Sequence, residues 1–177
     1  MRRVLAASFG ISLFAGLTFI GANIRIPLEP VPITLQTLFV LIAGGVLGAR
    51  RGSLSQLLYL GAGAAGAPVF ADSLSGLGVV WGPTGGYLLG FVLAPLFVGR
   101  FLRVRDVPWW NAAVFFCGSL IVLSLGVLHL TLFYTHDLAK ALQVGWIPFI
   151  PGDLLKVLAA TSIYRSYRAL RPVSFPD

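Results

Sequence analysis

Charge is scarce in this chain, and negative charge scarcer still: 11% of its 177 residues are charged, and only six are Asp or Glu. A soluble domain carries roughly 25% charged residues, so a water-soluble globule is excluded. Disorder is excluded too, because disordered chains are polar and highly charged, whereas 57% of these residues are hydrophobic. A single cysteine, Cys117, cannot close an internal disulfide; lying in an apolar run, it reads as an inert core thiol. The chain has no His-Glu-x-x-His, no paired cysteines and no histidine cluster, so zinc has no candidate ligands. It has no P-loop, which excludes that route of nucleotide hydrolysis, and no Gly-x-Ser-x-Gly elbow. No catalytic residue, metal site or cofactor is expected, and no enzyme activity.

What is present is apolar sequence, with a mean hydropathy of +0.89. The expected fold is an all-α membrane protein, one domain over 1–177. Its six transmembrane helices fall near 4–22, 33–48, 53–66, 87–101, 107–134 and 151–170. Met1-Arg2-Arg3 resembles the start of a signal peptide, but the run that follows is long enough to span and is read as the first helix. The runs around 33–48 and 53–66 are short, so they are expected to be tilted or shielded by neighbours.

The net charge is +7. Ten of the 13 basic residues fall on one side of this path: Arg2, Arg3, Arg50, Arg51, Arg100, Arg103, Arg105, Arg165, Arg168 and Arg171. The positive-inside rule makes that side cytoplasmic, with both termini inside. The excess charge is therefore a topology signal and an attraction to anionic membrane lipid, not a mark of nucleic-acid binding. Trp81 and Trp146 fall at the expected outer boundary, Trp109 and Trp110 at the inner one, as an aromatic belt would.

Most polar motifs have plain structural readings. Gly61-x-Gly63-x-x-Gly66 lacks the strand, following helix and acidic residue of a dinucleotide site, and reads as small-residue packing. His129, alone in the fifth run, is expected to hydrogen-bond a neighbour. Ser8, Ser12 and Gly16 recur every four residues, with Ala7 and Ala15 beside them. Such a stripe lets another helix approach closely, within this chain or from a separate membrane subunit.

The informative segment is Trp146-Ile-Pro-Phe-Ile-Pro-Gly-Asp-Leu-Leu-Lys156. Pro148 and Pro151 break regular helix before the last span, and Pro151 suits a first helical position. Asp153 then falls in the first turn, at the positive end of the helix dipole, and Lys156 shares its face. Ionisable groups in a membrane helix usually face an interior and have a partner. The pair is either a structural ion pair, with Lys156 free to snorkel, or part of a polar ligand site opening outward. Gln36, Asp72 and Tyr87 fall on the same outer side. Gly82, Gly85 and Gly86 would let backbone approach a ligand closely.

The blocks Pro30-Val-Pro-Ile-Thr-Leu-Gln-Thr-Leu38, Gly66-Ala-Pro-Val-Phe70, Gly82-Pro-Thr-Gly-Gly-Tyr-Leu-Leu-Gly90 and Pro151-Gly-Asp-Leu-Leu-Lys156 resemble the BioY family. That family is the biotin-binding substrate (S) component of energy-coupling factor (ECF) transporters. The resemblance implies a six-helix bundle in a prokaryotic-type plasma membrane, with biotin held in an outward-facing pocket. It implies that Asp153 helps to hold the ureido ring, with Lys156 beside it. It adds a loop contact after Phe70, where this chain has Ala71-Asp72-Ser73-Leu74-Ser75 in place of the family's Gly-rich loop. Asp72, Ser73 or Ser75 would provide that contact. The residue reading and the resemblance together point to Asp153, Lys156, Gln36, Tyr87, Asp72, Ser73, Phe70 and Gly86. The resemblance also implies docking of the first helix, through Ala7, Ser8, Ser12, Ala15 and Gly16, on a transmembrane coupling subunit. Two separate cytoplasmic ATPases would then drive release as the subunit tips in the bilayer. An S component for another vitamin, an intramembrane enzyme using Asp137, Asp153 or His129, and a purely structural subunit are the rival readings.

Overall fold

The computed structural model describes residues 2–170, with side chains from residue 4 onward. Arg171 and the side chains of Arg2 and Arg3, which entered the charge argument, lie outside the described residues. Six longer helices follow the expected runs: α1 (Arg2–Asn23), α2 (Gln36–Leu47), α3 (Ala49–Ala64), α5 (Gly85–Phe101), α6 (Pro108–Leu130) and α8 (Ile150–Leu170). Two short helices, α4 (Leu77–Val80) and α7 (Leu138–Gly145), occupy segments expected to be loop. Asp137 caps α7, its carboxylate accepting from the N–H groups of Ala139 (2.8 Å) and Lys140 (3.3 Å). The proline-rich break after α1 folds back as a small antiparallel pair, β1 (Arg25–Ile26) with β2 (Ile33–Thr34), in which Arg25 opposes Thr34. By length and composition, residues 4–23, 108–135 and 138–170 each form a stretch able to cross a membrane.

The bundle has an apolar core, and much of its outer surface is apolar as well. Thr18, Ser55, Gln56, Asn111 and Ser119 are buried, while Phe9, Leu89, Leu128, Leu155 and Leu158 are each more than half exposed. So many large apolar side chains on the outside suit a hydrocarbon surround, and polar ones inside need partners there. Several find them between helices. Thr18 of α1 bonds Gln56 of α3 at 3.2 Å, Ser53 of α3 donates to the Val92 carbonyl of α5 at 2.9 Å, and Ser119 of α6 donates to Asp153 of α8 at 2.6 Å. Cys117 faces outward from α6, so the expected core thiol is corrected. Its neighbours Gly118 and Ser119 take the inward positions instead, because the helical period leaves residue 117 on the opposite side.

Small residues set how closely the helices approach. A Cβ at Gly99 would overlap the Gly48–Ala49 backbone at the corner between α2 and α3. One at Gly126 of α6 would overlap the Tyr87 ring of α5. At Gly63 it would strike the Phe70 ring, which gives part of the glycine triplet on α3 its expected packing role; Gly61 faces open space. On α1, Ser8, Ser12 and Gly16 are exposed, and a Cβ at Gly16 would meet nothing within 4 Å. Ala15 is in the core and Ala7 is half-buried, so the stripe is split between an inward and an outward face.

Candidate ligand site

A cavity of about 290 Å³ lies at the end of the bundle where α2, α5 and α8 begin. That is close to the lower limit of pockets that take small molecules, ~300 Å³. Leu88 and Phe91 of α5, Val122 and Leu123 of α6, and Phe149 before α8 form its apolar walls. Tyr87 and Phe149 lie nearly parallel, with ring centroids 5.8 Å apart and an interplanar angle of 18°. The Tyr87 hydroxyl donates to the Gly145 carbonyl at 2.6 Å, so its polar end is taken up by protein.

The polar part is built from three segments. Pro148 sits in a 3-10 turn over residues 147–149, and α8 starts one residue before Pro151, which places Asp153 in the first turn as expected. Asp153 and Lys156 are both buried and form an ion pair at 2.6 Å. Lys156 also donates to the Thr34 carbonyl of β2 at 3.1 Å. Gln36, the first residue of α2, accepts from the Thr34 hydroxyl at 2.8 Å and donates to the Tyr59 hydroxyl at 2.7 Å. Tyr59 donates on to the Val69 carbonyl at 3.0 Å, just before Phe70, whose ring meets the Tyr59 ring edge-on. One hydrogen-bonded chain thus runs from Lys156 through Thr34, Gln36 and Tyr59 to the Phe70 loop.

Asp72 lines the cavity at its exposed rim and pairs with Arg25 of β1, tying the hairpin to the loop after Phe70. Asp72 and Ser73 have left-handed backbone (φ 64° and 56°), a conformation that Asp tolerates better than most residues.

Of the residues expected to hold ligand, Lys156, Gln36, Tyr87, Asp72 and Phe70 line this cavity. Asp153 is not among the lining; it stands behind Lys156, held by Ser119. Ser73 is exposed and does not line the cavity. Gly86 does not either: a Cβ there would run into the Leu125 carbonyl and His129 of α6, so it serves helix contact. Gly85 is likewise packed, and of these three glycines only Gly82 reaches the cavity. His129 bonds the Gly82 carbonyl at 3.0 Å, a neighbour contact as expected. Thr34, Thr37 and Phe149 also line the cavity, and Ser119 supports it from behind; Thr34, Thr37 and Phe149 lie inside segments already notable in the sequence, but Ser119 has no local signal.

Among the described residues no group of three or more His, Cys, Asp or Glu is placed to hold a metal. An apolar-skinned helical bundle enclosing one ion-paired, aromatic-walled cavity defines a membrane protein built around a small-molecule site. The chain belongs to the BioY family, whose model matches residues 3–173. It is 42% identical over 163 residues to the biotin transporter BioY of Thermotoga maritima, covering 92% of this chain and 94% of that one. It is 39% identical over 176 residues to the biotin transporter BioY of Rhodobacter capsulatus, covering 92% and 93%. The crystal structure of the S-component for biotin from an ECF-type ABC transporter superposes with a TM-score of 0.88 at 25% identity, covering 95% of this chain and 93% of that one.

Proposed function

We propose that this chain is the biotin-capturing S component of an ECF-type transporter, taking biotin from outside the cell and releasing it inward. It is a transport protein, not an enzyme, as its family and relatives are. The observation that carries the reading is the Lys156–Thr34–Gln36 cluster in a cavity whose other walls are mainly apolar. Biotin has a polar urea-like ring fused to an apolar thioether ring, and a carboxylate on an alkyl arm. Lys156 has three donors and uses two on protein; Gln36 has a second N–H beyond the one given to Tyr59. Both can serve the ureido oxygen. Asp153 acts through Lys156, fixing its charge and direction, and closes on the ureido N–H groups if Lys156 shifts toward ligand. The fused rings lie against Tyr87 and Phe149, with Phe70 opposite. The arm runs toward the rim, where Arg25 exchanges Asp72 for the ligand carboxylate. Ser73 and Gly86 make no ligand contact in this reading.

All six longer helices cross a cell membrane, the basic end faces the cytoplasm with both termini, and the cavity opens outward. The short helices α2, α3 and α5 are shielded by their neighbours. The exposed Ser8, Ser12 and Gly16 face of α1 meets a transmembrane coupling subunit, and two ATPase subunits supply the energy. Ala15, being in the core, takes no part in that contact.

Calorimetric titration of the detergent-purified chain with biotin, thiamin and riboflavin tests the ligand. Submicromolar binding of biotin alone is expected. Folded protein that ignores biotin, or prefers another vitamin, overturns the assignment. Orientation is tested in whole cells with an impermeant maleimide on a Cys117→Ser background. Asp137→Cys should label and Arg105→Cys should not.

A further inference from the structure

We propose that a second cavity, at the opposite end of the bundle, seats the phosphate headgroup of an anionic phospholipid. It encloses about 870 Å³ between the α2–α3 corner, the end of α5 and the end of α8. Arg50, Arg51, Arg100, Arg103 and Arg168 line it, brought together from three separate segments. No Asp or Glu is among its described lining residues; the nearby Asp106 pairs with Arg168 at 2.8 Å. Arg50 and Arg51 of α3 and Arg100 of α5 bring like charge to one concavity, and an anion there offsets it. The guanidinium fork matches phosphate oxygens in pairs.

Gly48, at φ +81°, makes the corner between α2 and α3 at the cavity wall. The wall also carries Val46, Leu47, Leu102 and Val104, apolar surface that a free phosphate ion cannot use and an acyl or glycerol group can. The depth is right for a headgroup. Trp110 donates to the Phe101 carbonyl at 2.9 Å, beside cavity-lining Arg100, and Trp109 is 60% exposed next to it. Paired indoles at a helix end mark the membrane interface. Attraction of scattered basic residues to an anionic leaflet is general, whereas this cavity makes one stoichiometric site of it.

The full chain, delipidated in detergent, is titrated with phosphatidylglycerol, phosphatidylcholine or inorganic phosphate, with native mass spectrometry reading bound lipid and thermal unfolding reading stability. One phosphatidylglycerol is expected to bind and raise the unfolding temperature, at roughly tenfold lower concentration than phosphatidylcholine. The Arg50→Gln/Arg100→Gln double variant should weaken that binding roughly tenfold. Arg105→Gln, in the loop after α5 but outside the cavity lining, should leave it unchanged. Equal retention of phosphatidylcholine, equal loss in Arg105→Gln, or stabilisation by inorganic phosphate alone to the level reached with phosphatidylglycerol would each overturn the proposal. Biotin affinity reports on the other end of the bundle and stays at the wild-type value in the double variant, which verifies its fold.

Discussion

Asp153 and Lys156 are joined at 2.6 Å, yet each is held from the opposite side: Ser119 of α6 grips the carboxylate and the Thr34 carbonyl of β2 takes the ammonium. The pair therefore fastens three parts of the chain while presenting only the lysine to the cavity. Removing one partner from a buried pair leaves the other uncompensated, at a cost of about 3–5 kcal/mol. Asp153→Ala should lower the unfolding temperature strongly and abolish biotin binding. Asp153→Ala/Lys156→Met should recover most of the stability and none of the binding. A double variant that binds biotin like wild type would remove both residues from the site.

Tyr59 lines no part of the cavity but orients Gln36, which does. Tyr59→Phe deletes one hydroxyl from a chain of buried hydrogen bonds and should cost about 1–2 kcal/mol. Biotin affinity should fall by roughly tenfold, because one hydrogen bond of about that strength loses its alignment. Calorimetry and thermal unfolding of the same preparation separate the two effects.

Gly63 and Gly61 lie two residues apart on α3 and make opposite predictions. Gly63→Ala drives a methyl into the Phe70 ring, so it should cost about 1–3 kcal/mol and weaken biotin by displacing a cavity wall. Gly61→Ala points into open space and should leave binding unchanged, with up to about 1 kcal/mol of added helix stability. Similar behaviour of the two variants would contradict the packing described.

The Arg25–Asp72 pair spans the hairpin and the loop at the cavity rim, and both side chains are partly exposed. An exposed pair is worth at most about 1 kcal/mol. Asp72→Gly keeps the left-handed backbone and removes the competitor for Arg25, so biotin release should slow by no more than roughly fivefold. Release should quicken with rising salt in both forms, because both hold the ligand carboxylate on Arg25, and stopped-flow fluorescence can follow it.

Asp106, outside the spans, has its carboxyl held below the usual 3.8 mainly by the hydrogen bond from Arg168. A depressed folded value stabilises the protein above the unfolded pKa and is lost as pH falls through the folded one. The half-exposed Asp106 limits this to less than about 1 kcal/mol. Unfolding temperatures taken from about pH 6 down to about pH 3 should fall less steeply in Asp106→Asn than in wild type. Parallel curves would show that the pair carries no stability.

The apolar runs, the arginine clusters and the Pro-Gly-Asp-Leu-Leu-Lys block were enough to determine a helical membrane protein and to set Asp153 and Lys156 on one helix face. Those features are local: helix period, proline position and charge scarcity are written in neighbouring residues. Only the tertiary structure decided which member of the pair faces the cavity, because that depends on Ser119, 34 residues away, and on Thr34, 122 residues away. It also turned Gly86 and Ala15 inward to pack, moved Cys117 to the outer face and gathered five arginines around one hollow. A run that is apolar all round carries no mark of which side meets lipid and which meets protein; close approach of distant helices assigns the faces.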